Sequence, residues 1–181
     1  AVQQIAPTAT GVPVISLEAS EAVVDAFIHA FSLALLGVIF TLWMMLRSVS
    51  ATVLVLIPLL LAALFTGACT VLLGLPFNFA NIIALPLLLG IGIDSSLHMV
   101  HRSRSTGAVY ENLLHTSTAR AIFYSALTTL VGFGSLVFST HQGTASMGLL
   151  LTVGLFLTLV CVLIILPVLL HSAGEKKESI V

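Results

Sequence analysis

Apolar residues run along this chain in five long blocks. They follow neither the three-and-four spacing of an amphipathic helix nor the alternation of a half-buried strand. The blocks cover residues 23–46, 51–73, 79–99, 121–138 and 147–170. Each is close to the roughly 20 residues an α-helix needs to cross a hydrocarbon layer about 30 Å thick. The pattern predicts an all-α integral membrane protein, a helical bundle of five transmembrane helices. The fourth block is the shortest and holds Ser125, Thr128 and Thr129, hydroxyls that a lipid-facing helix avoids and an interior helix uses against its neighbours. The fifth ends in Leu166-Pro167, where adjoining structure can compensate for the hydrogen bond a proline cannot donate.

Charge then orients the bundle. Arg47 follows the first block, Arg102, Arg104 and Arg120 lie between the third and fourth, and Lys176 and Lys177 follow the fifth. All of these fall on one side, which the positive-inside rule makes the cytoplasm. The short connections at 74–78 and 139–143 then face outward, and Trp43 sits at the cytoplasmic interface, where an indole is favoured. Between Arg104 and Arg120, Val109, Leu113 and Leu114 stand at roughly helical spacing. A short amphipathic helix on the membrane surface and an ordinary solvated loop both fit that segment, 102–120. The tail 172–181 is polar and reads as a disordered cytoplasmic end.

Composition narrows the classes further. The chain is 59% hydrophobic and only 7% charged, against about 25% charged residues in soluble domains. Six Lys and Arg in 181 residues, with a net charge of -1, leave no basic tract for nucleic acid. Cys69 and Cys161 both fall inside apolar blocks, where a thiol packs as a small hydrophobe, and their spacing implies neither a disulfide framework nor a metal site. The amino end lacks the basic start and short apolar core of a signal peptide. Residues 1–21 are polar, with Pro and Gly punctuation and a short extended stretch at Thr10-Gly11-Val12-Pro13-Val14. They are expected to be the end of an external domain feeding the bundle at 22–171, and the chain is expected to be the carboxyl portion of a larger protein.

The chemistry concentrates on the third block. Asp94 is the one carboxyl deep inside any of the five, in Gly90-Ile91-Gly92-Ile93-Asp94. At about 1.5 Å of rise per residue, it lies on the order of 10 Å inward from His101. A carboxyl in hydrocarbon is a functional candidate by default: burial penalises its charged form and a polar partner favours it, which suits a site that loads and unloads a proton. His98 and His101 lie four and seven residues further on, so the three share one helical face running toward the cytoplasm. Histidine accepts and donates protons near neutrality, so this face has the geometry of a proton path. Interfacial anchoring of the helix end also accounts for the two histidines. A cation held by Asp94, His98 and His101 would lack an evident fourth ligand.

Gly90 and Gly92 remove bulk just before the acid, and Gly132 and Gly134 do so on the fourth block, so close helix packing is expected around the site. Ser95 and Ser96 flank Asp94, while Ser125, Thr128 and Thr129 could hydrogen-bond its charged form from the neighbouring helix.

Several of these segments together resemble the resistance-nodulation-division (RND) superfamily. They are Leu75-Pro76-Phe77-Asn78-Phe79-Ala80-Asn81, the Gly90-to-Asp94 motif, His98-Met99-Val100-His101-Arg102, Thr116-Ser117-Thr118-Ala119-Arg120 and Ser125-Ala126-Leu127-Thr128-Thr129. Within that superfamily they look most like the hopanoid-associated transporters of the MMPL group. The resemblance covers nearly the whole chain. It implies a protein of two similar halves in a bacterial inner membrane, each with six spans and a large external domain. This chain would be the last five spans of the second half, partnered by the amino-terminal half, with a homo-oligomer compatible with that organisation. It also implies transport driven by proton influx, with protons the only coupling ion and no cofactor, and a hopanoid-like membrane lipid carried toward the outer membrane. The coupling aspartate of the family maps onto Asp94, and the hydroxyl position of the next helix onto Ser125, with Thr129 close by. One departure stands out: many MMPL transporters follow this aspartate with a tyrosine, and here the position is Ser95.

Two other classes are separable. An intramembrane aspartyl protease uses Gly-x-Gly-Asp and a second buried aspartate, and the chain offers neither, which argues against an enzyme. A lipid-sensing or scaffold module akin to sterol-sensing domains shares the bundle but would not depend on the protonation of Asp94.

Overall fold

The computed structural model of the chain describes residues 12–74, 83–106 and 114–178. Helix α1 runs Val12–Leu46, α2 Val49–Leu72, α3 Ala84–Thr106, α4 Ser117–Ser135, α5 Gln142–Val160 and α6 Leu166–Glu178. A 3₁₀ turn over Leu136–Phe138 follows α4, and a π-helical turn over Cys161–Ile165 joins α5 to α6. Five stretches are long and apolar enough to cross a membrane: Glu21–Leu46, Val49–Leu72, Ala84–Ser105, Ser117–Phe138 and Gln142–Ser172. The chain is a multi-pass, all-helical membrane protein, as its hydropathy predicts.

Residues 1–38 and 39–181 form two separate compact units. In the first, helix begins by Val12, which corrects the extended reading of Val12-Pro13-Val14. Phe27 and Phe31 stack at 5.8 Å one turn apart.

The second unit shows why each helix starts and stops where it does. Arg47 has a left-handed backbone (φ 46°) and donates its N–H to the Trp43 carbonyl at 2.8 Å, ending α1. Ser48 then accepts the Ala51 N–H at 3.5 Å and starts α2. The guanidinium of Arg104, on α3, donates to the Leu46 carbonyl at 3.0 Å, covering one of the orphan acceptors at the end of α1. That bond also brings the Arg47 and Arg104 ends of the unit together. Gly74, with φ +62°, closes α2 as only a residue without Cβ does at no steric cost. Thr116 caps α4 by accepting the Ala119 N–H at 3.2 Å, so this helix starts four residues before the apolar block at 121–138 does.

Helix α5 is the centre of the unit, packed against α2, α3 and α4. Leu150, Leu151 and Leu155 join Ala84 and Leu88 of α3 in the apolar cluster, with Ile91, Leu130, Phe133 and Met147 around it. Helices in lipid gain little from burying apolar surface against one another, so contact distance decides their association. Gly154 makes room for the side chain of Leu88, whose tip a Cβ would overlap. The buried hydroxyls of Thr66 and Thr158 are satisfied within their own helix: Thr66 donates to the Ala62 carbonyl at 2.7 Å and Thr158 to that of Gly154 at 2.8 Å.

In the last span the N–H of Leu166 reaches the Cys161 carbonyl, five residues back. This widened turn immediately precedes Pro167, which has no N–H to donate and whose ring would clash with the carbonyl four residues before it in a regular helix. The backbone stays helical through Glu178, which corrects the disordered reading for 172–178, since Glu175, Lys176 and Lys177 are good helix formers. Between Arg104 and Arg120, helix continues to Thr106 and resumes at Ser117, with Leu114 in a turn. Val109 and Leu113 of the expected amphipathic segment, and the 75–81 motif, lie outside the described residues.

Candidate functional site

Helix α3 divides into two faces. Gly92, Ser96, Met99 and Val100 point into the unit, and Leu87, Gly90, Asp94, His98 and His101 point out of it. The inner face is held by close contact. A Cβ on Gly92 would overlap the tip of Leu59 from α2 and approach the Thr158 methyl of α5 to 2.8 Å. Two residues on, the helix has turned by about 200°, and the Asp94 side chain stands 75% exposed.

Asp94 Oδ1 lies 3.4 Å from His98 Nε2, one turn further along, and His98 is itself 63% exposed. The pair is the expected i, i+4 arrangement. Its separation is slightly beyond the 2.7–3.2 Å of a formed N–H···O bond, so a small rotamer change connects or separates the two groups. His101 is exposed on the same face. Among the described residues no group of three or more His, Cys, Asp or Glu could hold a metal.

Two grooves between α3 and α4 meet at this carboxylate. One, of about 440 Å³, is bordered by Asp94, Ser95 and His98 from α3 and by Ser117, Thr118, Ala121, Ile122 and Ser125 from α4. The other, of about 390 Å³, runs away from the histidines past Pro86, Leu87, Gly90 and Ile91, facing Ser125, Ala126 and Thr129. Asp94, Ser95 and Ser125 belong to both. Ser125 and Thr129 thus share a groove wall with the acid. The Thr129 hydroxyl donates to the Ser125 carbonyl at 2.9 Å, and that of Thr128 to Tyr124 at 2.9 Å. The Ser95 hydroxyl reaches back toward the Ile91 carbonyl at 3.4 Å. These threonine hydroxyls keep free lone pairs but spend their protons on their own helix.

The glycines separate by role. Gly92 packs tightly, whereas a would-be Cβ at Gly90 or Gly132 meets nothing within 4 Å among the described residues. Gly134 has only ordinary contact, with Thr152 Oγ1 at 3.7 Å. Sequence reasoning missed Leu59 and Thr158, the two residues that seat α3. Only knowledge of which helix faces Gly92 could have found them. It also missed Ser117 and Thr118 as groove residues, although their place in a hydroxyl-rich run one turn before the fourth apolar block was a usable signal.

A hopanoid transporter HpnN of Rhodopseudomonas palustris is 48% identical to this chain over 179 residues, which are 99% of the chain and 20% of that protein. The hopanoid transporter HpnN of Burkholderia multivorans is 40% identical over 181 residues, again 99% of the chain and 20% of the relative. The chain spans about a fifth of the length of these relatives. The model of the MMPL family matches residues 4–180, all but the extreme ends of a chain whose five spans and grooved carboxylate have just been described: the chain belongs to the MMPL family.

Proposed function

We propose that this chain is the carboxyl-terminal membrane portion of a proton-driven lipid transporter, with a hopanoid-like substrate moved from the inner membrane toward the outer membrane. The observation that carries the reading is the placement of Asp94: a mid-span carboxylate, 75% exposed on this bundle, beside His98 and open to two grooves. Facing lipid, an ionised carboxylate would be strongly disfavoured. The face is accounted for if water or another part of a longer protein covers it, and the relatives, named as hopanoid transporters, are about five times as long. Asp94 is the coupling group, His98 and His101 pass protons between it and the cytoplasm, and Ser125 and Thr129 line its path. The one-sided distribution of Arg47, Arg102, Arg104, Arg120, Lys176 and Lys177 supports a cytoplasmic carboxyl end.

The test uses the complete transporter in proteoliposomes with labelled hopanoid and an imposed proton gradient. Transport should require the gradient and should vanish in Asp94→Asn, whose amide keeps the shape but carries no proton. Full transport by a well-folded Asp94→Asn protein would overturn the coupling role and favour a lipid-sensing module. Orientation is checked separately by cysteine labelling: positions 78 and 142 should react from outside and position 173 from the cytoplasm.

A further inference from the structure

The flank of α4 opposite the Asp94 grooves carries a second, smaller recess. Arg120, Phe123 and Tyr124 lie at i, i+3 and i+4 on that flank and, with Leu114, Ala119 and Leu163, enclose about 210 Å³. Leu163 belongs to the π-helical turn of the last span. The recess combines features that do not ordinarily meet on a lipid-facing surface. Arg120 is a cation at the first turn of a membrane span, and among the described residues no acid pairs with it. Tyr124 is an exposed phenol one turn deeper, set edge-on to Phe123 with ring centroids 5.7 Å apart. Leu163 and Phe123 supply an apolar floor.

We infer that this recess binds the anionic headgroup of a membrane phospholipid, with the acyl chains running along Phe123 and Leu163. The guanidinium is a planar fork matched to phosphate oxygens, a tyrosine at headgroup level presents an apolar ring and a polar tip, and basic recesses between membrane helices favour anionic lipids. The first turn of α4 adds the positive end of its dipole. Size selects the headgroup over a whole molecule, since the recess is smaller than the roughly 300 Å³ at which drug-sized ligand pockets begin. The site lies away from Asp94 and does not depend on the transport reading.

The experiment is native mass spectrometry of the complete transporter released from micelles containing phosphatidylglycerol or phosphatidylcholine, with the wild type compared with Arg120→Gln, Arg120→Lys and Tyr124→Phe. Loss of one basic contact near the membrane surface predicts about five-fold weaker retention of one phosphatidylglycerol by Arg120→Gln. Arg120→Lys should fall in between, phosphatidylcholine retention should not change, and millimolar inorganic phosphate should not displace the lipid. Equal phosphatidylglycerol retention by wild type and Arg120→Gln would overturn the site, as would an equal loss of phosphatidylcholine. A photo-crosslinker at Phe123 that captured another segment of the transporter instead of lipid would do the same. Thermal unfolding of each variant separates loss of binding from loss of fold.

Discussion

Gly90 and Gly92 stand two residues apart in the same motif and do opposite things. Gly92 is a contact: with Leu59 and Thr158 pressed against it, it sets how closely α3 approaches α2 and α5. Gly90 is an opening: among the described residues nothing lies within 4 Å of where its Cβ would be, and it borders a groove that ends at Asp94. The same division runs down the helix, with Ser96, Met99 and Val100 sealed inside and Asp94, His98 and His101 outside. One face fixes the helix in place so that the other can present a titratable group. On the coupling role proposed for Asp94, stability and function separate by helical angle over a few residues.

The largest effect should come from the outer face. Asp94→Asn should reduce transport by the complete transporter to background while changing the unfolding stability of this chain by no more than about 0.5 kcal/mol, because the side chain packs against little in its core. A large loss of stability would break the division between the faces. On the inner face, Gly92→Ala should cost about 1–3 kcal/mol through overpacking, read as a lower midpoint of denaturation in detergent. Gly90→Ala should be neutral or should gain up to about 1 kcal/mol from helix propensity in this chain. If Gly90→Ala destabilises the complete protein but not the isolated chain, a segment outside the chain closes on the groove.

His98→Ala sharpens the account of the outer face. As a relay, it should slow transport several-fold with a pH-dependent deficit, measured as initial rates under a fixed gradient; as an anchor alone, it should leave rates nearly normal at every pH. The smallest effect belongs to Ser96. Its hydroxyl is fully buried and has no hydrogen-bond partner among the described residues, so Ser96→Ala should gain about 1 kcal/mol or less, the reverse of the usual sign for truncating a buried side chain. Equilibrium denaturation that showed a loss would mean an unseen water or partner satisfies it.

Much of this was legible before the structure. Uninterrupted apolar blocks identify spans because hydrocarbon forces backbone groups to pair within each helix. The i, i+4 relation of Asp94 and His98 follows from helical geometry alone. What the sequence could not show is which side of α3 the bundle uses, because Gly, Ser, Leu and Ile occur on both sides and only the neighbouring helix decides. Helix ends were displaced for a related reason. Hydropathy marks where lipid begins, but Thr116 starts α4 by capping and the carboxyl end stays helical by propensity, and neither signal is apolar. The stretch Val12-Pro13-Val14 was misread because a proline marks an extended strand as readily as it sits in helix. Arg104 looked like one more orienting charge, yet its guanidinium also closes the end of α1.

The π-helical turn over Cys161–Ile165 makes the last span unusually tolerant of one kind of change in gene length. Such a turn holds one residue more than an α-helical turn while leaving the helix on either side in phase. Deleting a single residue from it converts it to α-helix without rotating Leu150, Leu151 and Leu155 away from α3. The same deletion near Gly154 would turn everything beyond it by about 100°. Pro167 opposes the shortened form, because its ring clashes in a regular helix. Single-residue length variation in relatives should therefore cluster at 161–165 and should come with replacement of the proline.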